Sequence, residues 1–136
     1  MISFNPQILT LNSAKDGKPH LLGSRCKVCG SFFFPQQLLC TECFSEGTLE
    51  EYPLSDKGEI YSFTIVERES LAPKGFKVPY AYGYIDLPEG VRVLSKIIDW
   101  TPETLKLGAP VKMVLEEIRE DPSGEKVMGF RFRIIK

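Results

Sequence analysis

Four cysteines in two close pairs constrain this chain more than any other feature. Cys26 and Cys29 form the first pair, Cys40 and Cys43 form the second, and the sequence has no further cysteine. A two-residue gap lets both thiolates of a pair turn toward one ion, and four thiolates favour tetrahedral zinc or, less often, iron. A four-cysteine shell leaves no coordination position open for a substrate. The spacing therefore predicts a structural zinc site without a catalytic role.

Two disulfide bonds in a secreted protein are the alternative for paired cysteines. The start of the chain, residues 1–6, has neither the basic nor the apolar region of a secretory signal. Disulfides are rare in the reducing cytosol, where paired thiols stay available for metal. We therefore expect a cytoplasmic protein whose cysteines hold zinc.

The composition is that of a small globular protein with little net charge. Of the 136 residues, 43% are hydrophobic and 26% are charged, and the formal net charge is −1. Zinc ribbons that bind nucleic acid usually carry a strong basic excess, which this chain lacks. No stretch reaches the roughly 18 apolar residues that mark a membrane-spanning helix. We expect neither nucleic acid nor a membrane as a partner.

The second half of the chain alternates between apolar and polar residues in a way that is typical of β-strands. The predicted strands are Glu59–Arg68, Tyr80–Asp86, Val91–Asp99, Pro110–Glu120 and Val127–Ile135. One or two helical turns are predicted over 101–108, because Thr101 can cap a helix, Pro102 suits its first position and Gly108 suits its exit. Three strands, a short helix and two strands is the order of an OB-fold, a five-stranded Greek-key barrel.

The predicted fold is therefore mainly β, with a zinc ribbon preceding an OB-fold barrel. We expect an N-terminal leader over 1–22, the ribbon over 23–50 and the barrel over 51–136. A module as small as the ribbon could not fold without its metal. We expect zinc to be required for the folding of residues 23–46.

Two strand faces carry side chains with more than one interpretation. In the last strand, alternation turns Met128, Phe130, Phe132 and Ile134 inward and Gly129, Arg131 and Arg133 outward. The two arginines could bind phosphate, but charges on alternate strand positions usually form a solvated face. Tyr80, Tyr82 and Tyr84 share one face of the second strand, where they fit either an aromatic wall or the core.

The loop over residues 70–79 joins the first two predicted barrel strands. OB-folds commonly use this loop to bind ligands. It carries Lys74, Phe76 and Lys77, and Arg68 stands at the end of the preceding strand. Lysine attracts phosphate as a point charge, and an aromatic ring can stack on a purine. A mobile hairpin loop without a ligand is the alternative.

Three consecutive phenylalanines, Phe32, Phe33 and Phe34, stand between the two cysteine pairs. A module this small cannot bury all three rings within itself. We expect one or two of them to pack against the barrel or against another protein.

The sequence contains no recognisable catalytic set. His20 is the single histidine, and we expect it to be a solvated loop residue. The carboxylates are scattered and form no acid–base pair, and no nucleophile motif or phosphate-binding glycine loop is present. We therefore predict no catalytic residue in this chain.

Several segments of the chain resemble the DUF35 family, also called OB-fold acyl-CoA-associated proteins. In the ribbon these are residues 23–30, Phe34-Pro35 and Cys40-Thr41-Glu42-Cys43; in the barrel they are 58–64, 79–90 and 107–111. Family members combine a rubredoxin-like zinc ribbon with an OB-fold. The chain differs from them at Thr41, where proline is usual, and in residues 1–22, where their helical hairpin is shortened or absent.

The resemblance implies a non-catalytic subunit of a thiolase-like acyl-CoA enzyme, needed for assembly and for binding of CoA or acyl-CoA at a site shared with the partner. The partner's reaction would be one such as thiolytic cleavage of an aromatic 3-oxoacyl-CoA. We expect Arg68, Lys74, Phe76 and Lys77 to contact CoA and Phe32–Phe34 to contribute to the interface. A free-standing acyl-CoA-binding or regulatory protein is the alternative, and a nucleic-acid-binding ribbon–OB protein is a further one.

Overall fold

The computed structural model describes residues 1–68, 70 and 77–135. These residues form ten strands in two sheets, and none of them forms an α-helix. The strands are β1 (Ile2–Ser3), β2 (Leu9–Thr10), β3 (His20–Cys26), β4 (Phe32–Phe33), β5 (Leu49–Pro53), β6 (Lys57–Val66), β7 (Tyr80–Asp86), β8 (Arg92–Ile98), β9 (Pro110–Glu120) and β10 (Lys126–Ile134).

The last five strands close into the predicted barrel. They pair in the order β10-β8-β7-β6-β9, and β9 pairs back with β10. All pairs are antiparallel except β8 with β10, where Phe132 lies opposite Ile97. Each of these five strands therefore pairs with two others, and β1 adds to β10 in parallel. The predicted fold class is confirmed, and β7 and β9 have the predicted bounds.

Residues 101–108 contain one turn at 102–104 and another at 107–108 but no helix, so the predicted short helix is wrong. The Thr101 carbonyl accepts hydrogen bonds from the amides of Thr104 and Leu105, at 3.1 and 3.0 Å. The Gly108 amide then donates to the carbonyl of Ile60 in the barrel, at 2.8 Å. The first turn of a helix is entropically costly, because several residues are fixed for a single hydrogen bond. A segment this short does not recover that cost, so the hydrogen bond of Gly108 to the barrel is the more favourable contact. Thr101 does cap this turn, since its Oγ1 accepts the Thr104 amide at 3.2 Å.

Strand β10 follows the predicted alternation only in its second half. Phe132 and Ile134 are buried as predicted, whereas Met128 and Phe130 are only half-buried. A register shift between Val127 and Met128 marks a bulge, and a bulge interrupts the alternation of the faces. Gly129, which the alternation predicts to face outward, is buried. The side chain of Ile118 covers it, as a Cβ at Gly129 would meet Ile118 Cγ2 at 3.0 Å.

The ribbon sheet shares its apolar core with the barrel. β3 lies at its centre and pairs with β2, β4 and β5. Leu9, Leu21 and Leu54 are almost fully buried in the same cluster as the barrel residues. Strand β3 (20–26) crosses the expected domain limit between residues 22 and 23, and strand β5 (49–53) crosses the limit between residues 50 and 51. Those limits remain a prediction.

His20 is buried, so the expectation of a solvated loop residue is wrong. Its side chain lies between the turn that precedes β3 and the residue that follows β5. Its ring nitrogens lie 2.7 Å from the carbonyl oxygen of Leu54 and 2.8 Å from Oδ2 of Asp16. Local sequence patterns do not indicate the contact with Leu54, because the two residues are 34 positions apart.

Candidate functional site

The four predicted cysteine ligands meet at one end of the ribbon. Their Sγ atoms all lie within 4.8 Å of one another. The sulfurs of Cys26 and Cys43 are 3.7 Å apart, and those of Cys29 and Cys40 are 3.5 Å apart. In a tetrahedral site with zinc–sulfur bonds of about 2.3 Å, neighbouring sulfurs lie about 3.8 Å from one another. The four thiols are therefore close enough to share one zinc ion.

The two cysteine pairs are built in the same way. After each pair, a residue with positive φ turns the chain back: Gly30 at 78° and Phe44 at 60°. The amides of these residues donate to the carbonyls of Cys26 and Cys40, at 2.9 and 2.8 Å. Glycine adopts this conformation without a steric penalty, whereas a phenylalanine does not. Phe44 is therefore an unusual residue for its position.

Hydroxyl groups surround the sulfurs. Ser31 follows the first pair, Ser45 follows the second, and Thr48 precedes β5. The pKa of the Cys26 thiol is lowered to about 6, chiefly by the hydrogen bond with Thr48 and next by the backbone of Cys29. Such hydrogen bonds favour the thiolate, which is the form that binds metal. The oxygen–sulfur distances are 3.2 Å for Ser31 and Cys29, 3.0 Å for Ser45 and Cys43, and 3.3 Å for Thr48 and Cys26.

An exposed apolar surface lies around the metal centre. We name it the ribbon-tip patch, and it consists of Val28, Leu38, Leu39 and Phe44. Leu38 is 95% exposed and Phe44 is 74% exposed. All four residues lie within two positions of a cysteine ligand in the sequence, and a cluster of exposed apolar side chains marks an interaction site more often than scattered single residues do. The sequence reasoning did not identify this patch, although Val28 lies within the first cysteine pair, Leu38 and Leu39 lie between the pairs and Phe44 follows the second pair.

The three phenylalanines are partly buried within the chain itself. Phe32 and Phe34 pack against the common core, and the ring of Phe32 meets that of Tyr52 edge-on, with 4.9 Å between centroids. Phe33 is half-exposed. Packing of one or two rings against the barrel was one of the two expected outcomes. A role of these residues in a partner interface remains a prediction.

The candidate CoA residues are described only in part. Lys74 and Phe76 lie outside the described residues. Arg68 and Lys77 are both exposed. Arg68 lines a cavity of about 490 Å³ together with residues 64–67, Tyr80 and Tyr82.

The three tyrosines of β7 differ in their burial. Tyr80 is buried, but Tyr82 and Tyr84 are 38% and 46% exposed. The opposite face of β7 carries buried Ala81 and Ile85. Core packing therefore does not account for Tyr82 and Tyr84, and the interpretation as an aromatic wall is the better one for them.

Known proteins share both parts of this architecture. A family model described as "ChsH2, rubredoxin-like zinc ribbon domain" matches residues 16–50, and "ChsH2, C-terminal OB-fold domain" matches residues 51–116. A DUF35 domain-containing scaffold protein of Methanothermobacter thermautotrophicus is 37% identical over 84% of this chain and 86% of its own length. The chain belongs to the DUF35 family.

Two further relatives show the range of this DUF35 family. The benzoylsuccinyl-CoA thiolase subunit BbsA of Thauera aromatica is 34% identical over 97% of this chain and 88% of its own length. A solved structure titled "Ltp2-ChsH2(DUF35) aldolase" superposes with a TM-score of 0.67 over 85% of this chain and 84% of the other. At 24% identity, that match supports the fold alone. None of the described residues forms a helix that is long and apolar enough to span a membrane.

Proposed function

We propose that this chain is the non-catalytic, zinc-binding subunit of a thiolase-like acyl-CoA enzyme. Its similarity to a thiolase subunit over 97% of its length carries the proposal. The chain would help to assemble the complex and form part of the CoA site, while the catalytic partner performs acyl transfer, such as thiolytic cleavage of an aromatic 3-oxoacyl-CoA. The complex would be a cytoplasmic hetero-oligomer.

The chemistry of the metal site supports a structural role. Cys26, Cys29, Cys40 and Cys43 would fill all four coordination positions of zinc. A bound zinc ion would hold the two cysteine pairs together and offer no open position for a substrate. The surrounding hydroxyls of Ser31, Ser45 and Thr48 would stabilise the thiolates and orient them.

The ribbon-tip patch is the surface we assign to the partner. Phe44 adopts a conformation that costs about 1 kcal/mol or more in an L-residue, although it is 74% exposed and packs little within the chain. Strain of this kind is retained where it serves a function. A neighbouring Leu38 that is 95% exposed adds to the apolar area that a partner could cover.

For CoA we propose contacts from Arg68 and Lys77, together with Lys74 and Phe76. Arg68 and Lys77 are exposed and carry the positive charge that phosphate requires. Arg68 lies in the same cavity as Tyr82, whose exposed ring offers an apolar face beside the charge.

Co-expression with the candidate catalytic subunit tests the proposal. The thiolase-like gene of the same organism should yield an active complex only when this chain is present, and both chains should elute together. A partner that is fully active alone would contradict the proposal. CoA binding by the zinc-loaded chain alone, with no complex formed, would favour the free-standing acyl-CoA-binding protein instead.

A further inference from the structure

An open apolar groove lies on the barrel at the junction with the ribbon, away from the cysteine centre. Its volume is about 720 Å³, within the range of about 300–1,000 Å³ that small-molecule sites occupy. Three segments build it: the N-terminal segment gives Phe4 and Ile8, the ribbon gives Phe34, and the barrel gives the rest. The barrel residues are Tyr80, Tyr82, Leu94, Ser95, Lys96, Ile118, Gly129, Phe130 and Arg131.

The walls of the groove are mostly aromatic and aliphatic. The rings of Phe4 and Phe130 meet with centroids 6.1 Å apart, and those of Tyr80 and Tyr82 with centroids 6.2 Å apart. Leu94 is 53% exposed, so the groove offers apolar area to a ligand. Gly129 contributes no side chain, and Ile118 packs over its backbone, where a Cβ would come within 3.0 Å of Ile118 Cγ2.

Arg131 introduces a positive charge into these apolar surroundings. Its side chain is only 18% exposed, in contrast to the solvated arginine expected from the sequence. Nη1 donates to the carbonyl of Phe130 at 2.8 Å. Nε is buried and has no hydrogen-bond partner among the described residues. Oε1 of Glu116 lies 3.7 Å from Nε, near enough for ionic attraction and too far for a hydrogen bond.

We propose that this groove binds an apolar carboxylate, a small molecule with an aryl or hydrocarbon body and one carboxylate group. The body would lie against Phe4, Leu94 and Phe130. The carboxylate would replace Glu116 beside the guanidinium of Arg131 and would accept the Nε hydrogen, which is buried while Glu116 stays in place. Buried N–H groups are rarely left unpaired, and a carboxylate is the acceptor that best matches a guanidinium. Glu116 is partly exposed and can turn to solvent when the ligand enters.

This site is separate from the proposed function. It uses neither the cysteines nor the charged residues assigned to CoA, although Tyr80 and Tyr82 line both cavities. No partner subunit is needed to form it. The zinc-loaded full-length chain alone is therefore the right material for a test, and failure of one proposal leaves the other standing.

The test is a titration followed by ¹H–¹⁵N NMR with a matched pair of probes. 4-Phenylbutyrate carries the apolar body and the carboxylate, and 4-phenylbutan-1-ol has the same body without the charge. Ligands of this size reach a Kd of about 1 mM. We expect the Kd of 4-phenylbutyrate to be at least about tenfold lower than that of the alcohol, because only the carboxylate can form a charge-assisted hydrogen bond with Arg131. The largest shifts should occur at the amides of Leu94, Gly129 and Phe130.

Variants of two arginines on the same strand give the control. R131Q should weaken binding of 4-phenylbutyrate by about tenfold and leave the alcohol unaffected. R133Q removes an equal charge from an exposed position two residues away and should change neither Kd. Equal affinity of wild type for both probes would overturn the proposal even if R131Q failed to fold. Shifts outside the groove, or equal effects of R131Q and R133Q, would overturn it as well.

Discussion

The imidazole of His20 and the carbonyl oxygen of Leu54 lie 2.7 Å apart and join the start of β3 to the residue that follows β5. The other ring nitrogen lies 2.8 Å from Oδ2 of Asp16. Both neighbours are oxygen acceptors, so only the doubly protonated ring can donate to both. The contact ties three segments of the ribbon sheet to one buried side chain.

Asp16→Asn should reduce the dependence of stability on pH in the acid range. The pKa of the Asp16 carboxyl is lowered from 3.8, first by its hydrogen bond with His20 and next by the backbone of Lys18. A lowered folded-state pKa contributes stability that is present above the unfolded value and lost as the pH falls through the folded one. Urea unfolding of wild type and variant between about pH 2 and 6 measures this. If the free energies of unfolding of wild type and variant change with pH in parallel over that range, the assignment is wrong. Asp121→Asn, in a surface turn, serves as the control.

Thr48→Val should weaken zinc binding. The Thr48 hydroxyl lies 3.3 Å from Cys26 Sγ, and loss of such a partner to a metal ligand typically costs about 10–100-fold in affinity. Competition with a chromophoric chelator measures the change. Thr64→Val alters an exposed barrel residue and should leave the zinc affinity unchanged.

Cys26→Ser or Cys40→Ser should lose the zinc ion, about one per chain, that a four-cysteine site holds. Elemental analysis measures the metal content, and full metal content in either variant would refute the site.

Phe44→Gly should stabilise the ribbon and weaken the complex. The change relieves the positive φ of 60° and should raise the free energy of unfolding by about 1 kcal/mol in thermal melts. It also removes a large ring from the ribbon-tip patch, so the Kd for the catalytic partner should rise by about tenfold or more. Leu107→Ser removes an exposed apolar side chain from the barrel and should not change partner binding. Unaltered partner affinity of Phe44→Gly would exclude Phe44 from the interface.

The double change Lys74→Ala with Lys77→Ala should raise the apparent KM for CoA several-fold in the reconstituted complex and leave kcat nearly unchanged. Each solvated lysine contributes about 1 kcal/mol or less to phosphate binding, and an interaction made equally in ground and transition states changes KM alone. The double change Lys57→Ala with Lys106→Ala removes the same charge at two exposed positions outside the loop. If both double variants shift KM alike, the effect is one of net charge and the loop assignment is wrong.

Local patterns in the sequence determined much of this protein. The cysteine spacing predicted the four-sulfur cluster, since each pair is closed by a turn of a few residues. The strand bounds of β7 and β9 followed from alternation and from turn residues at their ends. The OB-fold class then followed from the five predicted strands. These features depend on neighbours along the chain, and so they could be predicted from it.

Only the tertiary structure decided what each exposed or polar side chain contacts. His20 became buried through Leu54, Phe34 packed against the common core, and Arg131 entered an apolar groove beside Phe4. The ribbon-tip patch likewise depends on how the two cysteine pairs face each other. Residues that are remote in the chain meet in each case, and a strand pattern indicates which face a residue occupies but not what covers that face. Burial is a property of the whole packed structure, and for that reason the sequence alone did not reveal the groove.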